Sequence, residues 1–483
     1  EPKSGDDVVC TIDVDMQDIT EGALHRAMSL HDAQYGVAIV MEVETGAVRA
    51  IANLGKTKDG DIWETYNHAV GSATEPGSTF KLASIMALLE SGAVKLTDSI
   101  DLEQGKTTFY EEELEDASYH QLDKTTVQTA FEISSNVGMA KLVQQHFGDN
   151  NKADKFIEYL KKFNLHQRTG IEIEGEASPI IKEAYSEEDN WSGTTLPWMS
   201  IGYELTLAPI QLLTFYNAIA NNGREMKPYL VSKVQRYGET IQNFPPTVIN
   251  RKIASDRTIR QVRQLLEGVV LRGTASKYND APYHFAGKTG TSQLNYRRYD
   301  SGSNRVGGYQ ASFVGYFPAE KPKYSCIVVI SSPRKGGFYG GDVALPVFRE
   351  IADKVYATKT ELLEPMNDTP RPILAANHLP DAQIGNRKEM EFLLNTFQLN
   401  FVNRDDSPIA VVETTTSDTL ELNRRTIVRD RVPNVVGMGL RDALYILENM
   451  GLKVEVSGFG KVVRQSIIPG TFAKGQTLRL YLG

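Results

Sequence analysis

Glu75-Pro76-Gly77-Ser78-Thr79-Phe80-Lys81 runs without a break into Leu82-Ala83-Ser84-Ile85-Met86-Ala87-Leu88-Leu89. The second part is apolar on nearly every side, so a helix formed there has no face for water and is expected to be buried. Lys81 is the anomaly on it. A buried lysine carries a desolvation cost that must be met by partners or by loss of its proton. Its spacing from Ser78 puts both side chains on one helix face. A serine hydroxyl is a weak nucleophile until a base takes its proton, and a lysine at its ordinary pKa of about 10.4 is that base in fewer than about one molecule in a thousand at pH 7. Burial and a second cation lower such a pKa by several units. A serine at the start of the helix would also have unpaired backbone N–H groups beside it for a developing oxyanion. Taken alone, the stretch reads better as a helix cap followed by a snorkelling lysine.

Two further segments change the weighing. Ser134-Ser135-Asn136 is the only Ser-x-Asn of the chain and interrupts a helical stretch, where it would turn a hydroxyl and an amide toward a cleft. Lys288-Thr289-Gly290-Thr291 holds the only Lys-Thr-Gly, on a strand-like run that begins Phe285-Ala286. A cation beside hydroxyls suits a carboxylate, and Gly290 would let a ligand backbone lie close to the strand. A mid-helix cap and a plain turn are the competing readings. A decoy shows the weakness of any single match: Ser332-Pro333-Arg334-Lys335 also reads Ser-x-x-Lys, but it runs into Gly336-Gly337 with no helix to place the lysine.

Around these segments the pattern is that of an α+β protein. An amphipathic helix is expected over 15–32, then a hairpin of strands at 36–43 and 47–53 joined by Glu44-Thr45-Gly46. Strands at 283–291, 311–317 and 324–331 and a helix at 345–356 close the region, so early and late strands should share one sheet. Between them, 78–90, 126–147, 209–221 and 256–271 read as helices, giving a helical lobe beside an antiparallel sheet flanked by helices. This first domain is placed at 1–360. Residues 361–430 are more polar, carry Pro365, Pro370, Pro372 and Pro380, and show a helix at about 388–397, which reads as a connector with a small subdomain. From 431 to 483 a compact α/β unit follows, with a helix at 440–450 and strands near 453–456, 461–467 and 477–482. No tandem repeat at fixed period is visible.

Composition excludes several classes. A net charge of -9 without a basic run argues against nucleic acid, and no apolar stretch approaches the roughly 20 residues of a membrane helix. The eight histidines lack metal-ligand spacing, His68, His120 and His284 included, and no cofactor or metal is expected. Cys10 and Cys326 both read as buried free thiols, with a lone bridge as the alternative. Gly-Lys-Thr occurs at 55–57, 105–107 and 287–289, but a phosphate loop needs an earlier glycine where Ala50, Ile100 and Pro282 stand. Gly-x-Ser-x-Gly is absent. A start at Glu1 without methionine or signal-type segment suggests a fragment or processed form.

The trio of segments, in this order, resembles the class B penicillin-binding proteins, the monofunctional D,D-transpeptidases of bacterial cell-wall synthesis. The likeness covers about residues 8–357 and includes Thr11-Ile12-Asp13, Gly202 with Pro209-Ile210-Gln211-Leu212, Gly273-Thr274-Ala275 and Ala311-Ser312-Phe313-Val314-Gly315-Tyr316. It implies that Ser78 attacks the D-alanyl-D-alanine carbonyl of a peptidoglycan stem peptide, that Lys81 accepts the proton, and that Ser134 and Lys288 relay it. Asn136 would hold the acyl-side amide, Thr289, Gly290 and Thr291 would bind substrate, and backbone N–H groups of Ser78 and Thr291 would form the oxyanion hole. β-Lactams would acylate Ser78. The terminal unit is similar to a PASTA domain through Val432-Pro433-Asn434-Val435-Val436-Gly437, Gly451-Leu452 and Pro469-Gly470, and is net basic. Residues 361–430 are a candidate degenerate copy of it.

The resemblance further implies a division-type enzyme working with a glycosyltransferase and other divisome proteins. Such an enzyme is held in the inner membrane by a single span, its catalytic domain in the periplasm; the anchor is absent from this chain. A D,D-carboxypeptidase or β-lactamase-like hydrolase is the competing enzyme, and a non-catalytic β-lactam receptor or scaffold the competing protein of another class. Glu132 and the acidic run from Glu111 to Asp116 have no place assigned by the sequence.

Overall fold

The computed structural model describes residues 5–117, 122–149, 152–294, 307–359, 362, 384–397, 399–414, 419–424 and 427–483. His120 and the prolines at 365, 370, 372 and 380 lie outside them. The described chain divides into two compact units, Glu1–Leu363 and Glu364–Gly483.

The first helix, Val14–His31, starts where the Asp13 carboxylate accepts from Met16 N (3.1 Å) and stops where Asp32 turns left-handed (φ 49°). Met16, Thr20, Ala23, Leu24, Ala27 and Met28 form its buried face. It packs on a six-stranded antiparallel sheet in the order Ala286–Gln293, Tyr309–Phe317, Tyr324–Ser331, Tyr35–Glu42, Val48–Lys56, Ile62–Trp63. Early and late strands therefore do share one sheet, through the pairing of Tyr35–Glu42 with Tyr324–Ser331. The latter strand is buried at every residue. Successive side chains of a strand point to opposite faces, so unbroken burial means that both faces are covered. Gly36, opposite Ile330, faces Leu24 and Met28 of the first helix. Ser325, an odd number of residues along the same strand, instead donates to Asn217 Oδ1 (2.7 Å) of the Pro209–Ala220 helix on the other face.

Most expected elements occur with shifted ends. The strand expected from Tyr283 begins at Ala286, where pairing with Tyr316 begins, and continues to Gln293. The helix expected over 126–147 is broken: Val127–Glu132 ends, Ser134 takes φ 61°, and Asn136–Val143 starts afresh under a Ser135 cap. Cys10 corrects the sequence reading. It is exposed, because its short strand, Asp7–Cys10, lies at the edge of a small three-stranded sheet, whereas Cys326 is buried at the centre of the large one; both thiols are free.

In the second unit, residues 430–483 build a three-stranded sheet, with Lys453–Ser457 parallel and Val462–Gln465 antiparallel to Thr477–Leu482, beneath the helix Leu440–Asn449. Residues 384–424 repeat that plan. Phe401–Asn403 is parallel and Ile409–Thr414 antiparallel to Leu420–Arg424, after a helix, Arg387–Thr396, of the same 10 residues. In both, the segment just before the helix pairs antiparallel at the second strand in chain order, Ile384–Asn386 with Ile409–Val411 and Gly439 with Lys461, the residue just before Val462–Gln465. Part of the basic character of the terminal module is neutralised locally: Arg479 pairs with Glu455 and Arg441 with Glu389. No described helix is long and apolar enough to cross a membrane.

Candidate active site

The segment that carries Ser78 is a single turn of 3-10 helix, Gly77–Phe80, and the α-helix proper begins at Lys81. Ser78, the expected start of the helix, thus sits one turn ahead of the observed one, in a pinned segment: Tyr216 Oη donates to Thr79 O (2.8 Å), and Thr79 Oγ1 to Pro76 O (2.9 Å). Gly77 N donates to Gly202 O (3.1 Å), and the two backbones lie so close that a Cβ on Gly202 would stand 2.0 Å from Gly77 O. The strand carrying Lys-Thr-Gly packs on the same turn. A Cβ on Gly290 would meet Ser312 Oγ at 2.3 Å and Thr79 Cγ2 at 2.7 Å, so this glycine lets strand and turn touch.

Lys81 is fully buried, and its Nζ donates to Ser134 O (2.6 Å), Ser134 Oγ (3.2 Å) and Asn136 Oδ1 (2.7 Å). Among the described residues no hydrogen bond joins it to Ser78. Lys288, equally buried, donates to Ser134 Oγ (2.7 Å) and Thr289 O (3.2 Å), with its ammonium 5.8 Å from the Phe131 ring centroid. Two amino groups therefore converge on one hydroxyl. Burial pulls Lys81 down to about 7, against the nearby Asp116 charge, which pulls it up. Lys288 is held well below the ordinary lysine range by burial first and by the charge of Lys81 second.

Ser78, Ser134, Asn136, Thr289 and Thr291 line one cleft of about 560 Å³, with Lys81 and Lys288 buried behind it and Gly290 turned toward Thr79. Thr289 Oγ1 shares a hydrogen bond with Thr274 Oγ1 (2.7 Å), and Thr291 Oγ1 accepts from Gly340 N (3.1 Å). The decoy Ser332 lies in the loop after its strand, where the backbone of Lys335 is bonded to His31. Among the described residues no cluster of three His, Cys, Asp or Glu side chains is placed to hold a metal. His68 stacks on Tyr35 and His284 pairs with Glu320, so the two serve separate contacts.

Comparison with known proteins places this geometry. The family described as "Penicillin binding protein transpeptidase domain" matches residues 36–353. The chain belongs to the penicillin-binding protein transpeptidase family. The PASTA domain family matches residues 430–483. Stage V sporulation protein D of Bacillus subtilis is 27% identical over all of this chain and 66% of its own length. Peptidoglycan D,D-transpeptidase FtsI of Escherichia coli is 28% identical over 72% of this chain and 55% of its own length. The crystal structure of penicillin-binding protein 3 from Mycobacterium tuberculosis, complexed with aztreonam, is 29% identical, covers 75% of this chain and 81% of that one, and superposes with a TM-score of 0.64. The chain thus spans between about half and two thirds of the length of the two named relatives.

In this penicillin-binding protein the sequence reading left out three residues that line the cleft. Thr274, whose segment carries part of the family resemblance, bonds Thr289. Tyr339 donates to Ala117 O (3.2 Å), joining the loop after the last sheet strand to the segment after the acidic hairpin. Asp116 accepts from Ser135 and from the start of the helix that Asn136 opens. Glu132 is accounted for elsewhere: it is buried against Arg272 (2.6 Å), and its backbone carbonyl accepts from Thr274 N (3.2 Å).

Proposed function

We propose that the chain is a serine-type D,D-transpeptidase that cross-links peptidoglycan stem peptides and is acylated at Ser78 by β-lactams. The observation that carries this reading is the convergence of two buried amino groups, Lys81 and Lys288, on Ser134 at the wall of a cleft that Ser78 also lines. With a pKa near 7, Lys81 is neutral in about half of the molecules at pH 7. As Ser78 Oγ bonds to the carbonyl carbon between the two D-alanines, its proton passes to Lys81 Nζ, and backbone N–H groups of Ser78 and Thr291 hold the oxyanion. Collapse breaks the C–N bond, and the departing D-alanine amine takes a proton relayed through Lys288 and Ser134. Asn136 holds the acyl-side amide. Thr289 and Thr291 donate to the terminal carboxylate, Thr289 by turning its hydroxyl from Thr274, and Thr291 while its Oγ1 still accepts from Gly340 N. An amine of a second stem peptide then attacks the ester, and its proton returns by way of Lys81 to Ser78 Oγ.

Hydrolysis is the competing second step, and the acidic side chains near the cleft do not favour it. Glu132 is paired with Arg272, Glu115 with Lys106, and Asp116 is engaged by Ser135 and two backbone N–H groups. Mass spectrometry of the intact protein with penicillin should show one added equivalent on Ser78 that persists for many minutes, and none on Ser332. Clearance within seconds, unaffected by added amines, would make the chain a β-lactamase. Similarity to FtsI supports a single-pass, membrane-anchored enzyme facing the periplasm and working beside a glycosyltransferase in division. Capture of a glycosyltransferase by the native membrane protein tests the partner. The shared plan of 384–424 and 430–483 supports reading the former as a divergent copy of the PASTA module.

A further inference from the structure

The hairpin of Lys106–Phe109 and Glu112–Glu115 delivers its acidic arm to the cleft, and the residue after it is Asp116. The Asp116 carboxylate accepts from Ser135 Oγ (2.8 Å), from Val137 N (2.9 Å) and from Asn136 N. One residue earlier, Glu115 O accepts from Asn136 Nδ2 (2.7 Å). The end of the hairpin therefore holds both the backbone and the side chain of Asn136, whose Oδ1 is itself a partner of Lys81. Asp116 lies at the N-terminus of the Asn136–Val143 helix, where free N–H groups and the helix dipole stabilise an anion.

The charged groups that face Lys81 are Asp116 from the hairpin arm and Lys288 from the strand, while the turn between the two helices presents the neutral Ser134 and Asn136. When Lys81 takes the serine proton, a positive charge is formed beside the amino group of Lys288 in a buried site. An anion held at the edge of that site is what offsets it.

We propose that Asp116 is a positioning residue for acyl transfer: it locks the Ser134-to-Asn136 turn against Lys81 and supplies the negative charge that the Lys81 ammonium faces once the serine proton has moved. The proposal rests on the reading that Ser78 is acylated with Lys81 as its base. Asp116→Asn keeps the shape and an acceptor oxygen but removes the charge, which separates the two contributions.

The experiment measures the rate of Ser78 acylation by penicillin against pH, for the full chain and for D116N, with thermal unfolding as a check on the fold. Loss of the anion should move the acid limb of the profile toward lower pH by about one unit, because an ammonium without its counter-charge loses its proton more readily. The plateau should fall. D116E, which retains the charge, should leave the limb closer to wild type than D116N does. Should D116N not fold, D116S, which likewise removes the charge and leaves the Ser135 cap in place, is used instead. An unmoved acid limb overturns the proposal whatever the plateau does, since a merely structural role would lower the rate without shifting the profile. Absence of any adduct on wild-type Ser78 overturns the function itself, and is seen before any variant is made.

Discussion

Lys81 in its protonated form has three N–H groups and three acceptors around it, Ser134 O, Ser134 Oγ and Asn136 Oδ1, so the ammonium is well held although burial opposes it. In the proposed mechanism, loss of a proton frees a lone pair to take the hydrogen of Ser78. Burial brings the pKa to about 7, so a lysine base there would be spent below that pH and competent above it. The acylation rate should therefore rise about tenfold per pH unit in acid and level off above roughly pH 7. Rapid-quench acylation checks this; a limb near pH 10 would remove Lys81 as the base. Lys81→Ala should cost about 10³-fold in acylation rate, in the range of general-base removal, and Ser78→Ala should abolish the adduct with the fold intact.

At the scale of elements, the turn that carries Ser134 exists because one helix is stopped and another started within four residues, 133–136. Ser135 does the starting, its Oγ accepting from Gly138 N (2.9 Å) while donating to Asp116. Ser135→Ala should lower stability by about 1 kcal/mol in urea titration, the usual loss for a helix cap, and slow acylation as well. The contact between Gly202 and Gly77 is less forgiving. A methyl on Gly202 would stand 2.0 Å from a backbone oxygen, at a residue whose φ is 91°. Gly202→Ala should destabilise by more than about 2 kcal/mol and move the nucleophile turn off the strand. Wild-type stability together with wild-type acylation in that variant would show that this contact does not set the turn. The helix around Ser135 was legible as an interrupted stretch, since Ser-Ser-Asn breaks an apolar period. Its counterpart on the hairpin was not, because a run of acidic residues at 111–116 says nothing about what it will touch.

At the scale of the molecule, every residue assigned to the chemistry belongs to the unit Glu1–Leu363. A chain ending at residue 363 should acylate Ser78 at close to the full-length rate, and a large loss would mean that the second unit shapes the cleft. Within that second unit, Ile384 and Ile409 pack against the apolar cluster of Val432, Val435, Leu447 and Leu480. The terminal module lacks those contacts when cut out alone, so residues 384–483 should melt at a higher temperature than residues 430–483. Equal melting temperatures would show the two modules to be independent. The repeated plan of these modules escaped a search for periodicity because it resides in strand pairing and helix length, which unrelated apolar residues satisfy equally well.

The sequence by itself determined the buried helix behind Ser78, the positions of the apolar sheet strands and the order of the three motifs, since these follow from local apolar pattern and from chemistry written in adjacent residues. It also marked Lys81 as an anomaly inside an apolar helix, which became a candidate base only in the company of the other two motifs. Only the tertiary structure decided that Lys81 bonds Ser134 and Asn136, that Lys288 shares the same hydroxyl, that Gly290 serves the turn beneath it, and that Asp116 and Thr274 complete the cleft. Those are contacts between residues far apart in the chain. Their distances depend on how the sheet closes and how the helices pack upon it, and no local spacing encodes that.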